Sequence, residues 1–209
     1  ARARVPGVPS ATFGDRTRGP GSTSSRLAEQ AAGRSGQIVY SPLDALTLAQ
    51  QNPDREIVFV GVGFETTTPL VAMAIKRAAA AGLKNFSVFG AHKNMPGALE
   101  AIINDPQLKG DALILPGHVS TIIGAEPYRF LAEKYGIPGV ITGFEPVDVL
   151  QGIAMIMRQL HEGRADIEIA YARGVMPEGN PVALAAIAEV FATCTALWRR
   201  QGEITGSGY

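Results

Sequence analysis

The sequence predicts an α/β fold: an open parallel sheet of the doubly wound, Rossmann-like kind, with helices on both faces. Three observations predict it. Short β-branched or aromatic runs recur along the chain, segments of helical periodicity lie between them, and the runs are apolar almost throughout rather than alternating. Strands that alternate with helices build βαβ units, and near-continuous apolar strands are those covered on both faces.

Taken in order, residues 1–36 read as an irregular lead segment rich in Gly, Ser, Thr and Arg, with one short helix near Ser25–Ala32. Strands are expected at Gln37–Tyr40, Ile57–Val62, Phe86–Phe89, Ala112–Leu115 and Gly139–Thr142. Helices are expected at Leu43–Gln51, Thr67–Ala81, Gly97–Asn104 and Pro127–Tyr135. Residues 37–146 thus form an α/β domain. Residues 147–209 form a second, incomplete lobe, with helices at Val147–His161 and Pro181–Trp198 around a strand at Ile167–Tyr171. The chain starts at Ala1 rather than Met and closes in a Gly/Ser stretch, Gly202–Tyr209, that reads as a linker. It is therefore expected to be a piece of a longer protein.

Composition narrows the function classes. Hydrophobic residues make up 46% and charged residues 18%, an ordinary globular balance. Lys+Arg and Asp+Glu are 19 each with no basic run, so no nucleic-acid partner is expected. No apolar run approaches a membrane span and no signal-peptide pattern opens the chain, so no membrane role is expected either. The single cysteine, Cys194, cannot form an internal disulfide, which fits a cytoplasmic location, and it is expected to pack mid-helix.

In open parallel sheets ligands bind beyond the carboxyl ends of the strands, and the segments leaving those ends here are polar. Gly63-Phe64-Glu65-Thr66-Thr67 and Gly143-Phe144-Glu145-Pro146 deliver a carboxylate twice from the same tripeptide. Gly90-Ala91-His92-Lys93 and Pro116-Gly117-His118-Val119-Ser120-Thr121 supply two imidazoles, a lysine and hydroxyls. Thr66, Thr67 and Thr68, before Pro69, either cap the next helix or bind an anion at its N-terminus. His118 reads as a site residue or as a buried histidine bonded to backbone. His92 and Lys93 read equally as site residues or as a solvent-facing loop, and His161 as a favourable charge at a helix end. Glu145 is a poor N-cap, unlike Ser41, which forms a good capping box with Asp44. The Gly61-x-Gly63 start lacks the third glycine of a dinucleotide fingerprint, and neither a P-loop nor a Gly-x-Ser-x-Gly elbow occurs.

Several long segments resemble the signature segments of the HypD family, in that family's order. They are Thr12-Phe13-Gly14-Asp15, Tyr40–Leu46, Gly63–Pro69, Asn85–Phe89, Pro116–Gly124, Gly143–Gln151 and Pro177–Pro181. The resemblance implies a cytoplasmic maturation factor for [NiFe] hydrogenases, with a HypC-type chaperone and a HypE-type cyanide donor as partners. It also implies iron and a [4Fe-4S] cluster as cofactors, held by cysteines in segments that this chain lacks; Cys194 matches none of them. The reading that results is an assembly scaffold for the Fe(CN)2CO unit rather than a stand-alone enzyme. In it Glu65, His118 and Glu145 are the central residues, with Thr66, Thr67, His92, Ser120 and Thr121 around them. The alternatives are a metal-dependent enzyme with a His/Glu site, a nucleotide-binding domain at Gly61–Thr68, and an inactive remnant.

Overall fold

A computed structural model describes residues 9–14, 25, 28, 31, 36–199 and 201–209. The helix expected near Ser25–Ala32 lies largely outside the described residues. The chain divides into two compact units, one of Ala1–Gly63 with Thr67–His92, the other of Phe64–Thr66 with Lys93–Tyr209. No helix among the described residues is long and apolar enough to cross a membrane.

The first unit holds β1 (Ser10–Phe13), β2 (Gly36–Val39), α1 (Pro42–Gln51), β3 (Ile57–Gly63), α2 (Thr68–Ala80) and β4 (Phe86–His92). Its four strands are parallel, in the order β2-β1-β3-β4. The order reverses between β1 and β3, the switch point of a doubly wound sheet. β1 falls where a loop was expected. Four residues of mixed character carry no periodicity, yet Ala11 and Thr12 are buried because the strand pairs on both edges. α1 begins as its sequence requires. Ser41 Oγ accepts the Leu43 N–H at 3.1 Å and the Asp44 carboxylate accepts the Ser41 N–H at 2.9 Å.

The second unit holds α3 (Met95–Ile103), β5 (Leu113–Pro116), α4 (Gly117–Ile123), a 3₁₀ turn (Glu126–Tyr128), α5 (Arg129–Tyr135), β6 (Gly139–Thr142), α6 (Pro146–Glu162), β7 (Ile167–Ile169) and α7 (Pro181–Val190). β5, β6 and β7 form a parallel sheet in chain order. Its core gathers Leu115, Val119, Ile123, Ala125, Tyr128, Leu131, Ile141 and Val175. The alternating α/β plan with parallel sheets is the one expected, divided between sheets of four and three strands.

The chain's last stretch departs from expectation. The helix predicted over Pro181–Trp198 stops at Val190, where Phe191 turns extended. β8 (Cys194–Trp198) and β9 (Gly202–Gly208) come next as an antiparallel hairpin, so Cys194 lies exposed on a strand and Gly202–Tyr209 is no linker. Long-range bonds decide the matter. Asn94 Nδ2 donates to Gly206 O at 2.6 Å, the Asn94 N–H to Ser207 O at 3.0 Å, and Trp198 Nε1 to Ser207 Oγ at 2.8 Å.

Two glycines tie α4 to the turn before α7. Gly124 and Gly179 have φ of 75° and 76°, and a Cβ on either would run into backbone of the other's segment. That contact carries the Asn180 N–H to Ile122 O at 2.9 Å and the Ala125 N–H to Pro177 O at 2.7 Å. Gly124→Ala should therefore cost about 3 kcal/mol in urea denaturation, combining overpacking with left-handed strain. Gly163→Ala, at φ 64° in open space, should cost only about 1 kcal/mol. Equal costs would mean that the contact between the two segments contributes nothing.

Candidate functional site

In the second unit, three segments leave the carboxyl ends of neighbouring strands and meet. β5 runs through Pro116 into Gly117-His118, β6 through Thr142 into Gly143-Phe144-Glu145, and β7 through Ala170 into Tyr171-Ala172-Arg173. Close approach is what glycine supplies here. A Cβ on Gly117 would collide with Thr142 O, and one on Gly143 would collide with the Asp148 carboxylate. His118 then packs against Phe144 with ring centres 4.6 Å apart, and its ring centre is 6.3 Å from that of Tyr171. Phe144 remains 70% exposed.

Arg173 organises the polar half of this cluster. Its guanidinium forks onto both Asp148 oxygens at 2.7 and 2.6 Å, lies 3.4 Å from Glu145 Oε2, and stacks 4.5 Å above the Tyr171 ring. The Arg173 hydrogen bonds hold the Asp148 carboxyl below its usual range, and Asp148 raises the guanidinium in return. Asp148 also accepts the Glu145 backbone N–H, which is the reach-back half of a capping box at the start of α6. Glu145 makes no cap bond, and its side chain is 76% exposed.

Glu65 is the opposite case. It is fully buried, with Oε1 accepting the Met95 N–H at 2.8 Å at the start of α3 and Oε2 making no hydrogen bond. Burial raises its pKa, against a smaller pull from the Met95 hydrogen bond. Burial, and to a lesser extent the Glu65 charge, also pushes Tyr209 up to about 12 and raises Tyr128. Ser120, buried, donates to Pro116 O at 2.9 Å and sits 3.5 Å from the Tyr128 oxygen. Thr121 Oγ1 donates back to His118 O at 2.7 Å, and Thr66 is exposed.

Thr67 and His92 belong to the first unit. Thr67 takes the N-cap position of α2 without a side-chain cap bond, and its hydroxyl fills the space that a Cβ on Gly63 would need. His92 is the last residue of β4 rather than part of an exposed loop. It is 1% exposed, and burial lowers its pKa to about 4, so it is a neutral imidazole at pH 7. Lys93 Nζ donates to Leu197 O at 2.9 Å and lies over the Trp198 ring.

Arg173 and Tyr171 were not singled out from the sequence. The one signal was a cation after a strand end, and its partner Asp148 is 25 residues away. Among the described residues no three of His, Cys, Asp and Glu are grouped to hold a metal ion. A [4Fe-4S] cluster is held by about four thiolates. One exposed cysteine on β8 does not fit that group.

The raised pKa of Glu65 sets a sign for stability. Its contribution is fully present below the ordinary carboxylate pKa and is lost as pH rises through the raised value. Glu65→Gln keeps an acceptor for Met95 and removes the charge. The variant should melt several degrees above the wild type at pH 8, with the gap closing near pH 4. A variant that melts lower at both pH values would show that the carboxylate itself is required.

A family model described as "Hydrogenase formation hypA family", the HypD family, matches residues 1–209. The chain is 54% identical over 198 residues to a hydrogenase maturation factor HypD from Rhodobacter capsulatus, covering 94% of this chain and 52% of that protein. It is 46% identical to the HypD of Rhizobium leguminosarum bv. viciae, covering 98% and 55%. The HypD of Escherichia coli (strain K12) is 43% identical, covering 99% and 56%. The chain spans about half the length of the curated relatives it matches. With the whole chain matched and identities at this level, the protein belongs to the HypD family.

Proposed function

We propose that this chain is the α/β scaffold portion of a [NiFe] hydrogenase maturation factor, on which the Fe(CN)2CO unit is assembled with a HypC-type chaperone. A HypE-type protein would supply cyanide, and the setting would be the cytoplasm. The observation that carries this reading is the cluster at the carboxyl ends of β5, β6 and β7. There two family-like segments, Pro116–Gly124 and Gly143–Gln151, meet through His118 and Phe144. The relatives' names, hydrogenase maturation factors, point to the same process.

Iron enters this scheme as cargo. The thiolates that would bind it and hold a cluster lie outside this sequence, so the residues present act around the metal. His118 and Glu145 are exposed; His118 can donate a hydrogen bond to a thiolate or a diatomic ligand brought to the strand ends, and the Glu145 carboxylate can accept one from a cysteine thiol. Thr66 and Thr121 would add hydroxyls in the second unit, whereas Thr67 and His92 would act within the first. Glu65 and Ser120 are buried and act through what they hold, Glu65 through the first turn of α3 and Ser120 through the Pro116 turn.

The test uses a full-length HypD carrying changes at the matched positions. His118→Ala and Glu145→Ala should each lower hydrogenase maturation at least tenfold with the melting temperature unchanged. Glu65→Ala should lower maturation too, with the fold kept. Normal maturation by the His118 and Glu145 variants would remove the assignment. A pull-down of this chain against a HypC-type chaperone, with iron measured, separates docking from metal binding. Binding without iron is expected, whereas iron in this chain alone would favour a metal-dependent enzyme.

A further inference from the structure

α6 presents apolar side chains to solvent at a regular helical spacing. Val147, Leu150, Ile153, Met157 and Leu160 are 72, 66, 43, 59 and 40% exposed. Steps of three and four residues place them in one stripe along the helix. Phe144, 70% exposed, lies just ahead of the first turn and continues the apolar surface.

The other face of α6 is already committed. Asp148, Gly152, Ile156 and Gln159 are buried, Gly152 so close to Thr142 that a Cβ would meet its methyl group. Gln159 Oε1 accepts the Asp166 N–H at 2.8 Å. The helix therefore cannot turn its apolar stripe inward. Single exposed leucines are ordinary on protein surfaces, but a continuous apolar row is not.

Size decides which occupant fits. Five side chains in a single row along one helix are a narrow surface, far fewer than the roughly 20–30 residues a side of a standard stable interface. A second copy paired through it alone falls short of that size. A segment of the same polypeptide needs less area, because tethering replaces most of the entropy cost of association. The family's longer members have such a segment to offer. The Rhodobacter capsulatus protein matches this chain over 52% of its own length, so nearly as much again lies outside the match.

We propose that the stripe Val147–Leu160 is an internal packing face. In full-length members of the family it is covered by a helix from the unmatched part of the same polypeptide, laid along α6 with its own apolar row. This rests on family membership and not on the assembly reading.

Hydroxyl-radical footprinting of the unmodified full-length Rhodobacter capsulatus protein and of this chain tests it. In the full-length protein, positions matching Val147, Leu150 and Met157 should label at least fivefold more slowly than in this chain. Labelling at the position matching Glu162, at the end of the same helix, should be the same in the two proteins. Equal labelling in the two proteins would overturn the proposal. So would protection in this chain that grows with concentration alongside a dimer in analytical ultracentrifugation, since a second copy would then be the occupant.

Discussion

One carboxylate, Asp148, holds the second unit's strand-end cluster together. It accepts the Glu145 backbone N–H and so starts α6, and it takes both arms of the Arg173 fork. Through Arg173 it fixes Tyr171, and through the turn at Gly143 it fixes Phe144 and hence His118. A side chain only 6% exposed carries these bonds, with a partner guanidinium about half exposed. Two carboxylates facing one guanidinium leave Glu145 as the weakly held member, free to point outward.

The tripeptide Gly-Phe-Glu occurs twice and is used in opposite ways. Glu145 sits on the surface beside a cation, whereas Glu65 is fully buried and aimed at the first N–H of α3. The difference lies in where the chain goes after each copy. After Glu145 it enters its own helix at once, and Asp148 reaches back to the Glu145 N–H. After Glu65 it departs into α2, and the carboxylate is left to serve a helix 30 residues on. A buried carboxyl with one oxygen bonded and the other not is a costly arrangement, and the raised pKa of Glu65 is its electrostatic expression.

Much of the fold was legible. Apolar runs located β2 to β7 to within a few residues, and the Ser41–Asp44 box located the start of α1 because capping is a local matter. The elements that were missed share a cause. β1 is too short and mixed to show a period and exists because it has strand neighbours on both sides. The end of α7 and the β8–β9 hairpin depend on Asn94, Trp198 and Ser207 meeting across the chain. For the site, the strand-end glycines and the residues beside them could be read. The buried state of Glu65 and His92, and the role of Arg173, could not.

By itself the sequence determined the alternating α/β plan, the positions of the polar strand-end segments and the family. These depend on periodicity, on capping and on runs of residues that are neighbours along the chain. Only the tertiary structure decided that Glu65 is buried, that Asp148 faces Arg173 and which side of α6 is left open. Those outcomes are set by distance in space, and desolvation and ion pairing act across segments that the sequence keeps far apart.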